Sequence, residues 1–381
     1  MNKIKLEDIA TIVKGKKVEQ IEQSSEAIRY IQIEDLRNGD NIKFCEANAK
    51  YVTANEEDII IAWDGANAGT VGFGLSGAIG STLAKIRINN EILDPRFVGL
   101  LLRSKFKYLR NSCTGATIPH INRKSLESVE IPLLPLVVQR KIINIIDTTA
   151  EMHAMRTKQL AELENVIIST FYYMFGNPAV NDKGWEVRKL GELLKESPQN
   201  GLYKPASEYT NGTLGQPILR IDSFYNGELK QPLNLKRLNC TQREIDTYLL
   251  CENDIVINRV NSIEYLGKCA LITGLSEDTV FESNMMRLKV FNSIINPAYL
   301  TKFLCTPYVY NQILCHAKKA VNQASINQKD VQNFNILIPP LSLQNHFVSI
   351  LESINEQKKI VGKAIGETQY LFDSLMSEYF D

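Results

Sequence analysis

The sequence lacks the features that mark a membrane or a secreted protein. No run of about 18 apolar residues, the length that a transmembrane helix needs, occurs in the chain. The first ten residues, MNKIKLEDIA, contain no apolar segment of the kind that a signal peptide carries. The seven cysteines form no CxxC pair, so neither a disulfide framework nor a zinc site is indicated. We therefore expect a soluble, cytoplasmic protein with free thiols and no metal site.

An excess of positive charge is also missing. Lys+Arg and Asp+Glu number 43 each, and the formal net charge is zero. This balance argues against a protein that binds phosphates with its whole surface. It leaves room for basic residues clustered on one side, or for partners that supply positive charge. The length of 381 residues predicts two or three domains.

The motifs of common catalytic sites fail on inspection. GFGLSG (72–77) fits GxGxxG, but a loop and a strand follow it, whereas a dinucleotide site needs a helix there. The chain has no P-loop. NPAV (177–180) lacks the second proline and the aromatic ring with which an adenine methylase holds a flipped base. The four histidines are not paired with cysteines or with one another, so the sequence shows no active site.

The chain is instead an internal duplication. Segments of the first half recur in the same order in the second half, and the offset drifts from 184 to 205 residues, as loop insertions would produce. The aligned pairs are KLEDI (5–9) with KLGEL (189–193), IQIEDLRNG (31–39) with LRIDSFYNG (219–227), DIIIAW (58–63) with DIVINR (254–259), DPRFVGLL (94–101) with NPAYLTKF (296–303), INRKSLESVEI (121–131) with INQKDVQNFNI (326–336), and PLVVQ (135–139) with PLSLQ (340–344). Two copies of one module of about 190 residues explain this order.

Each copy has the same predicted elements. Short β-branched segments bounded by Gly and Asn predict strands. These strands are 28–33, 58–62 and 84–88 in the first copy, and 218–221, 254–258 and 286–291 in the second. A helix then begins at Asp94-Pro95 or Asn296-Pro297, because Asp and Asn cap helices and proline suits the first helical position. A proline-bearing break, PLLP (132–135) or PP (339–340), precedes a long helix.

The two long helices carry apolar seams. From Phe347 a 4-3-4-3 track of ten positions contains eight apolar or aromatic residues, which is typical of a coiled coil. The central segment from Val137 to about Phe175 has a broader stripe and stops at Gly176-Asn177-Pro178. About 36 residues form a rod of roughly 55 Å. The residues predicted to pack between helices are Leu160, Leu163, Ile167, Phe171, Phe347, Leu351, Ile354, Val361, Ile365, Phe372 and Leu375.

These patterns predict an α+β protein. Two tandem α/β domains are each followed by a long helix, and the helices pack as an antiparallel coiled coil with pseudo-twofold symmetry. The predicted parts are domain 1 (1–136), central helix (137–178), domain 2 (179–340) and distal helix (341–381). Two other arrangements stay open at this point: each helix packs only on its own globular module, or either helix forms a homodimeric coiled coil.

This architecture resembles the specificity subunits of type I restriction-modification systems, over nearly the whole chain. The strings that carry the resemblance are KLEDI and KLGEL, DIIIAWDGANAGTVG (58–72), GSTLAKIRI (80–88), TGATIPHINRKSLESVEIPLLPLVVQRKI (114–142) and SINQKDVQNFNILIPPLSLQNHF (325–347). The second copy departs from the pattern at NRVNSIEYLGK (258–268), where the first has AWDGANAGTVG. We therefore expect the two target-recognition domains to recognise different sequences.

The resemblance implies a non-catalytic DNA-binding subunit that recognises a split target. Its expected partners are double-stranded DNA, two adenine methyltransferase subunits and, in the full complex, restriction subunits. S-adenosylmethionine, ATP and Mg²⁺ would be bound by those partners, and none by this chain. The helical rod would fix the gap between the half-sites, since two recognition domains on one groove face lie about one turn, ~34 Å, apart.

Polar side chains on loops are the candidates for DNA contacts, because base edges are recognised by Arg, Asn, Gln, Ser and Thr. The candidates for base contacts are Trp63, Asp64, Asn67, Ser81, Thr82, Thr117, His120, Asn122 and Arg123 in the first copy, and Arg220, Arg259, Asn261, Asn284, Gln323, Ser325, Asn327 and Gln328 in the second. The candidates for phosphate contacts are Lys14, Lys16, Lys17, Arg103, Lys105, Lys107, Arg110, Lys318 and Lys319. For each, a solvated surface or a loop-stabilising role is the alternative, and Asn122 and Asn327 fit helix caps.

Three other functions stay open. The chain could be an enzyme fused to its recognition module, although the missing motifs argue against this. It could serve a system in which methylase and nuclease share one chain. It could also be a coiled-coil scaffold without a nucleic-acid role.

Overall fold

The computed structural model describes residues 2–115, 117–210, 212, 214–230, 232–321 and 323–380. The chain divides into two compact units. The first unit contains residues 2–159 and 361–380, and the second contains Leu160–Ile360. Two helices of 40 residues each contribute to both units. The domain limits drawn from the sequence stay predictions.

The first half of the chain is a series of short strands and helices that ends in one long helix. In chain order they are β1 (Lys3–Lys5), α1 (Leu6–Ile9), β2 (Ala10–Lys14), β3 (Ala27–Ile31), a 3₁₀ turn (Ile33–Leu36), β4 (Lys43–Glu46), β5 (Thr53–Ala54), β6 (Ile59–Ala62), β7 (Val71–Gly72), β8 (Gly77–Ile79), β9 (Leu83–Ile88), α2 (Pro95–Ser104), α3 (Phe106–Asn111), α4 (Arg123–Glu127), β10 (Glu130–Pro132) and α5 (Leu136–Phe175).

The second half repeats this plan. Its elements are β11 (Glu186–Lys189), a 3₁₀ turn (Leu190–Leu193), β12 (Gln199–Asn200), a 3₁₀ turn (Ala206–Glu208), β13 (Tyr209–Thr210), β14 (Gln216–Leu219), β15 (Phe224–Tyr225), β16 (Glu228–Leu229), β17 (Lys236–Leu238), α6 (Gln242–Tyr248), β18 (Ile255–Asn258), β19 (Val260–Asn261), a 3₁₀ turn (Ile263–Tyr265), β20 (Cys269–Leu271), β21 (Val280–Phe281), β22 (Met285–Leu288), α7 (Pro297–Leu304), α8 (Pro307–His316), β23 (Lys318–Lys319), β24 (Ala324–Ser325), α9 (Gln328–Gln332), β25 (Asn335–Ile338) and α10 (Leu341–Phe380).

Strand β6 shows how the first unit is layered. It lies inside an antiparallel sheet of order β2-β9-β6-β7, and a mixed sheet of order β4-β3-β8-β5 covers that sheet on one side. Side chains alternate along a strand. Ile59 and Ile61 therefore join the core under the helices, while Ile60 and Ala62 join the core between the sheets. This accounts for the uninterrupted apolar run of β6.

The second unit has the equivalent sheets. Their orders are β12-β22-β18-β20 and β13-β17-β14-β21, and β14 pairs with β21 in parallel as β3 does with β8. Strand β18 places Ile255 and Ile257 in the core under the helices and Val256 in the opposite one. The duplication predicted from the sequence is therefore a duplication of fold.

The predicted helix starts are confirmed. Asp94 accepts a hydrogen bond from the Arg96 N–H at 3.0 Å, and Asn296 accepts one from the Ala298 N–H at 2.9 Å. The strand predicted over 28–33 ends at Ile31, because the Asp35 carboxylate accepts from the Gln32 N–H at 2.7 Å and closes a turn there. The strand predicted over 286–291 spans Met285–Leu288.

In the first unit, the beginning of α5 packs against the end of α10. Ile142, Ile143 and Ile146 share a buried cluster with Met376 and Phe380. Further along, the Arg156 guanidinium donates to the Ala364 carbonyl at 2.6 Å and to the Thr368 hydroxyl. Because residue numbers fall along α5 as they rise along α10, the two segments are antiparallel.

In the second unit, the end of α5 packs against the beginning of α10. The Phe347 ring lies 5.7 Å from that of Phe171 and 5.4 Å from that of Phe175. Leu351 and Ile354 bury their side chains in the same cluster as Ile167. The two long helices therefore pack on each other as an antiparallel pair, and the arrangement in which each helix packs only on its own module is wrong.

One track position on α10 is charged. Lys358 is 13% exposed at its side chain and forms ion pairs with Glu164 of α5 and, at 3.0 Å, with Glu228 of β16. Lys302 also contacts Glu228, at 2.8 Å. Burial raises the pKa of Glu228, but the two lysines outweigh burial and hold it below its usual range.

Replacing this lysine by methionine is expected to destabilise the second unit. The variant Lys358→Met leaves two carboxylates without their shared cation, at a cost of about 1–2 kcal/mol, between the exposed and buried limits for ion pairs. Because the folded-state pKa of Glu228 is lowered, its contribution is complete above pH ~4.3 and is lost as the pH falls through the folded-state pKa. Unfolding in denaturant at pH 7 and pH 3 should show a difference from the natural chain that shrinks at the lower pH. Lys359→Met, at a side chain 72% exposed, is the matched control and should stay within ~0.5 kcal/mol at both pH values; an equal loss in both variants would contradict the prediction.

Candidate nucleic-acid interface

The same backbone frame brings three loops together in each unit. In the first, the Trp63 N–H donates to the Thr82 carbonyl at 2.8 Å, and the Ile121 N–H donates to the Trp63 carbonyl at 2.9 Å. In the second, the Arg259 N–H donates to the Asn284 carbonyl at 2.8 Å, and the Ile326 N–H donates to the Arg259 carbonyl at 3.0 Å. Three segments therefore meet at equivalent places in the two units. They are the loop after β6 or β18, the loop before β9 or β22, and the segment before the short helix α4 or α9.

Different side chains stand on this common frame. The same backbone bonds are made by Trp63 and Arg259, by Asp64 and Val260, and by Thr82 and Asn284. His120 in the first unit precedes Ile121, as Ser325 in the second precedes Ile326. Aromatic, acidic and imidazole groups in one unit are thus replaced by guanidinium, aliphatic and hydroxyl groups in the other.

Asp64 organises the first frame. Its carboxylate lies 2.7 Å from the His120 Nδ1 and 2.7 Å from the Lys14 Nζ. Burial raises the pKa of Asp64, but hydrogen bonds and charge from Lys14 and His120 outweigh it and hold that pKa below its usual range. The carboxylate is therefore ionised at neutral pH and fixes a lysine and a histidine at the loop surface.

The other predicted residues of the first unit surround this cluster or support it. Ser81, Thr82 and Thr117 are exposed, and the Asn67 side chain accepts a hydrogen bond from Arg37. The Asn122 side chain caps α4 by accepting a hydrogen bond from the Ser125 N–H at 3.3 Å, which is the helix-cap role predicted as the alternative to a DNA contact. Arg123 pairs with Glu127 at 2.7 Å.

A cleft beside these residues was missed by the sequence analysis. It has a volume of about 800 Å³ and includes Asn67, Ser81 and Thr82. Its other residues are mostly polar: Tyr30, Gln32, Ile33, Glu34, Arg37, Asn38, Asp40, Asn41 and Lys43. Such groups can bind base edges and phosphates. The sequence signal for this cleft was the polar run RNGDN (37–41). Its first three residues had been used only to align the two copies.

In the second unit, a small sheet carries several predicted residues. Val260 and Asn261 form β19, which pairs with β24 at Ser325 and Ala324. Strand β23, Lys318–Lys319, pairs with the other side of β24. The exposed Gln323 precedes β24, and the Arg259 guanidinium donates to the Ser283 carbonyl at 3.0 Å. The structure thus brings a cation, amides, a hydroxyl and two lysines together.

Three predicted residues of the second unit have contacts that hold the fold together. Arg220 pairs with Glu282 at 3.4 Å, and Gln328 donates to the Pro198 carbonyl at 2.6 Å. The Asn327 side chain accepts from the Lys329 and Asp330 N–H groups and caps α9. These contacts fix the loops on which the other candidates stand.

The phosphate candidates of the first unit differ in exposure and in contacts, and Lys14 is held by the Asp64 carboxylate. Lys16, Lys17 and Lys107 are exposed, and Lys105 is half-buried. Two arginines have partners within the protein: the Arg103 guanidinium stacks 4.9 Å from the Phe73 ring centre, and Arg110 donates to the Gly65 carbonyl at 3.2 Å. Arg110 thereby supports the loop that follows Asp64.

Among the described residues, no group of three or more His, Cys, Asp or Glu side chains is arranged to hold a metal ion. Within the same part of the chain, none of the helices has the length and apolar character for crossing a membrane.

Residues 1–165 and 182–365 match the family model described as the type I restriction modification DNA specificity domain. The chain belongs to this family. It is similar to the specificity subunit of the MjaVIII type I restriction enzyme of Methanocaldococcus jannaschii, with 25% identity over 94% of this chain and 87% of that one. It is also similar to the EcoKI specificity subunit of Escherichia coli strain K12, with 24% identity over 98% and 86%.

Solved structures of the family share the fold. The S subunit of the type I system of M. genitalium superposes with a TM-score of 0.59 at 14% identity, covering 100% of this chain and 96% of that one. A chain from a type I R-M system studied for complex assembly and conformational transition gives a TM-score of 0.63 at 17% identity, covering 100% and 97%. The predicted family, the fold class and a non-catalytic role in DNA recognition are confirmed. As a type I specificity subunit, the chain acts with other subunits and DNA.

Proposed function

We propose that each copy of the module recognises one half of a split DNA target. The observation that carries this proposal is the duplicated backbone frame with unlike side chains. Because both units have the same backbone frame, each would approach DNA in the same orientation, and the side chains on the frame would supply the sequence preference. With Asp64 and His120 on one frame and Val260 and Ser325 on the other, the two half-sites differ in sequence.

The candidate residues divide into base-contacting and supporting groups. Thr82 and Asn67 beside the cleft, and Asn261 and Gln323 in the second unit, are the base-contacting candidates that the geometry favours. Asn122, Asn327 and Gln328 support the loops through the contacts described above. Exposed lysines, with Lys318 and Lys319 on their own strand, would bind phosphates.

The complex that we propose contains two adenine methyltransferase subunits and, for cleavage, restriction subunits. S-adenosylmethionine, ATP and Mg²⁺ would be bound by those subunits, and the assembly would work in the cytoplasm on chromosomal DNA. The two 40-residue helices are continuous, so each is about 60 Å long. A stiff antiparallel pair of this length is suited to set the gap between half-sites.

A domain exchange tests the proposal. Residues 1–136 are replaced by the equivalent part of another specificity subunit, and the chimera is expressed with its methyltransferase in cells that lack other adenine methylation. Genome-wide mapping of N6-methyladenine should show a target with one new half and one unchanged half, because the second frame is intact. The reciprocal exchange of residues 179–340 is the matched control and should change the other half only.

The outcomes separate the open alternatives. A change in both halves would contradict independent recognition, and methylation by this chain without its partner would show an enzyme. A scaffold would show no sequence preference in DNA binding by the assembled complex.

A further inference from the structure

The turn after β3 in the first unit recurs after β14 in the second. In each turn a backbone N–H donates to the side chain three residues later, to Asp35 at 2.7 Å and to Ser223 at 3.2 Å. The N–H of that later residue donates back to the carbonyl of the first, at 3.1 Å and 2.9 Å. The second residue after each turn is Arg37 or Tyr225. These two residues therefore occupy equivalent positions, 188 residues apart.

The loop after β6 likewise recurs after β18. A glycine with positive φ, Gly69 or Gly267, lies two residues before the next strand, β7 or β20. The residue two positions before this glycine is Asn67 or Tyr265. Its carbonyl accepts from the N–H three residues later, at 3.1 Å and 3.4 Å. Strands β7 and β20 pair with β6 and β18 in matching register, so Asn67 and Tyr265 are also equivalent.

In the first unit a hydrogen bond joins the turn to the loop. The Arg37 guanidinium donates to the side-chain oxygen of Asn67. Arg37 is exposed, and both residues lie in the 800 Å³ cleft with Thr82. A neutral amide orients a guanidinium without neutralising its charge. The first unit thus presents a positioned arginine fork at the cleft.

In the second unit aromatic rings join the turn to the loop instead. Tyr225 stands where the first unit has Arg37. The ring centres of Tyr225 and Tyr265 each lie 3.8 Å from the Lys268 Nζ, and the two side chains are 48% and 46% exposed. A cation between two ring faces is attracted by the negative charge of those faces. The second unit therefore has stacked rings where the first has a guanidinium and an amide.

Both units thus keep the backbone of one contact and change its side chains. The same backbone hydrogen bonds close the turn and the loop in both units, so the fold does not dictate which side chains join them. A protein that recognises two unlike half-sites needs a constant backbone and different side chains where it contacts bases. Arg37 also shares its cleft with Thr82, a residue of the backbone frame. The contact is placed and varied as a base-recognition position requires.

We propose that Arg37 specifies a guanine in the first half-site, and that Asn67, already a candidate for base contact, positions it. Asn67 engages one of the five N–H donors of the guanidinium, and two others donate side by side to guanine O6 and N7 in the major groove. Because the fork is held before binding, it loses less freedom on DNA. The Asp40 carboxylate of the same cleft suits the paired cytosine, whose N4 is a donor.

This role rests on the proposed function, because Arg37 can specify a base only if the first unit binds a half-site. The test uses the complex of this chain with its methyltransferase subunits and the target found by methylation mapping. Arg37→Met keeps most of the length of the side chain and removes its donors. Discrimination at one G·C pair of the first half-site should fall about 10- to 100-fold, and every other position should be kept.

Two further variants separate positioning from general damage. Asn67→Ala should cause a smaller loss at the same base pair and no additional loss when combined with Arg37→Met, because it acts through that arginine. Arg96→Met is the matched control in the same unit. The Arg96 side chain is 51% exposed, pairs with Asp147 at 2.8 Å and is not part of the cleft. Its replacement should leave discrimination at every position unchanged.

A change in the DNA separates a base contact from a phosphate contact. 7-Deazaguanine lacks the N7 acceptor. In place of the specified guanine it should weaken binding by the natural complex about tenfold, and binding by the Arg37→Met complex less than twofold. A phosphate contact would instead weaken binding to all sequences alike and lower the salt dependence by about one counterion.

The outcomes distinguish this role from the wider function. A first half-site without a G·C pair, unchanged discrimination in Arg37→Met, or a uniform weakening with lower salt dependence overturns the role of Arg37 while recognition of a split target stands. A 7-deazaguanine effect that persists in Arg37→Met also overturns it. Binding without any sequence preference by the natural complex overturns the proposed function itself.

Discussion

Replacing Phe171 by alanine is expected to lower the free energy of unfolding of the second unit by about 3–5 kcal/mol, the range for a large aromatic side chain removed from a core. Phe171 is 4% exposed and lies on α5. Its ring centre is 6.0 Å from Tyr299, 6.3 Å from Phe303 and 5.7 Å from Phe347. These rings come from α5, α7 and α10, so one truncation loosens the helix pair and the domain core together.

Unfolding in guanidinium chloride, followed by fluorescence and circular dichroism, measures this loss. The control is Tyr173→Ala, two residues further along α5, because that side chain is 84% exposed and its truncation should stay within ~0.5 kcal/mol. A loss below about 1 kcal/mol for Phe171→Ala would show that the helices do not depend on this cluster. DNA recognition by the assembled complex should weaken in parallel with stability.

The second large effect is expected at a pair of buried glutamines. Gln139 donates to the Ile92 and Leu134 carbonyls, both at 2.8 Å, and accepts from the Asp94 N–H at 2.8 Å. Gln344 repeats these contacts in the second unit with Ile294, Pro339 and Asn296. Both side chains are fully buried. Each glutamine therefore ties the first turn of a long helix to the start of the helix that follows the sheet.

Gln139→Met keeps the length of the side chain and removes all three hydrogen bonds. Because each buried group left unsatisfied costs about 1–3 kcal/mol, we expect a loss of about 3–5 kcal/mol, and the same for Gln344→Met. Thermal and denaturant unfolding give the values, and the exposed Gln159→Met on the same long helix is the control. Equal stability of Gln139→Met and the control would mean that relaxation supplies other partners.

Local patterns predicted the elements of the fold. Asp94 and Asn296 could be recognised as helix caps because an Asp or Asn followed by proline favours the start of a helix by its local geometry alone. The apolar seam of α10 could be recognised because its period is that of a coiled coil. The antiparallel packing followed from the duplication. Gln139 and Gln344 were visible in the PLVVQ and PLSLQ match, but their role depends on the Ile92 and Ile294 carbonyls, which lie 47 and 50 residues away in sequence.

The candidate site was predicted only in part, because its contacts are also distant in sequence. Asp64, His120 and Lys14 were separate candidates, and the sequence gives no sign that one carboxylate holds the other two. Arg37 and the other residues of the cleft were missed, since a polar loop looks alike whether it faces a groove or open solvent. The sequence match aligned Trp63 with Arg259 and Ile121 with Ile326, but only the backbone hydrogen bonds show that these residues join the same loops in both units.

Because the end of α10 belongs to the core of the first unit, that core can be completed only at the end of protein synthesis. The Phe97 ring of the first unit lies 5.4 Å from that of Phe380, so two residues 283 positions apart complete one core. At 5–20 residues per second, a ribosome needs roughly a quarter of a minute to a minute to make the intervening chain. Until then the apolar side chains of the first unit that await Met376 and Phe380 stay uncovered. Nascent chains of this architecture should therefore engage a general chaperone, and release it only as translation ends.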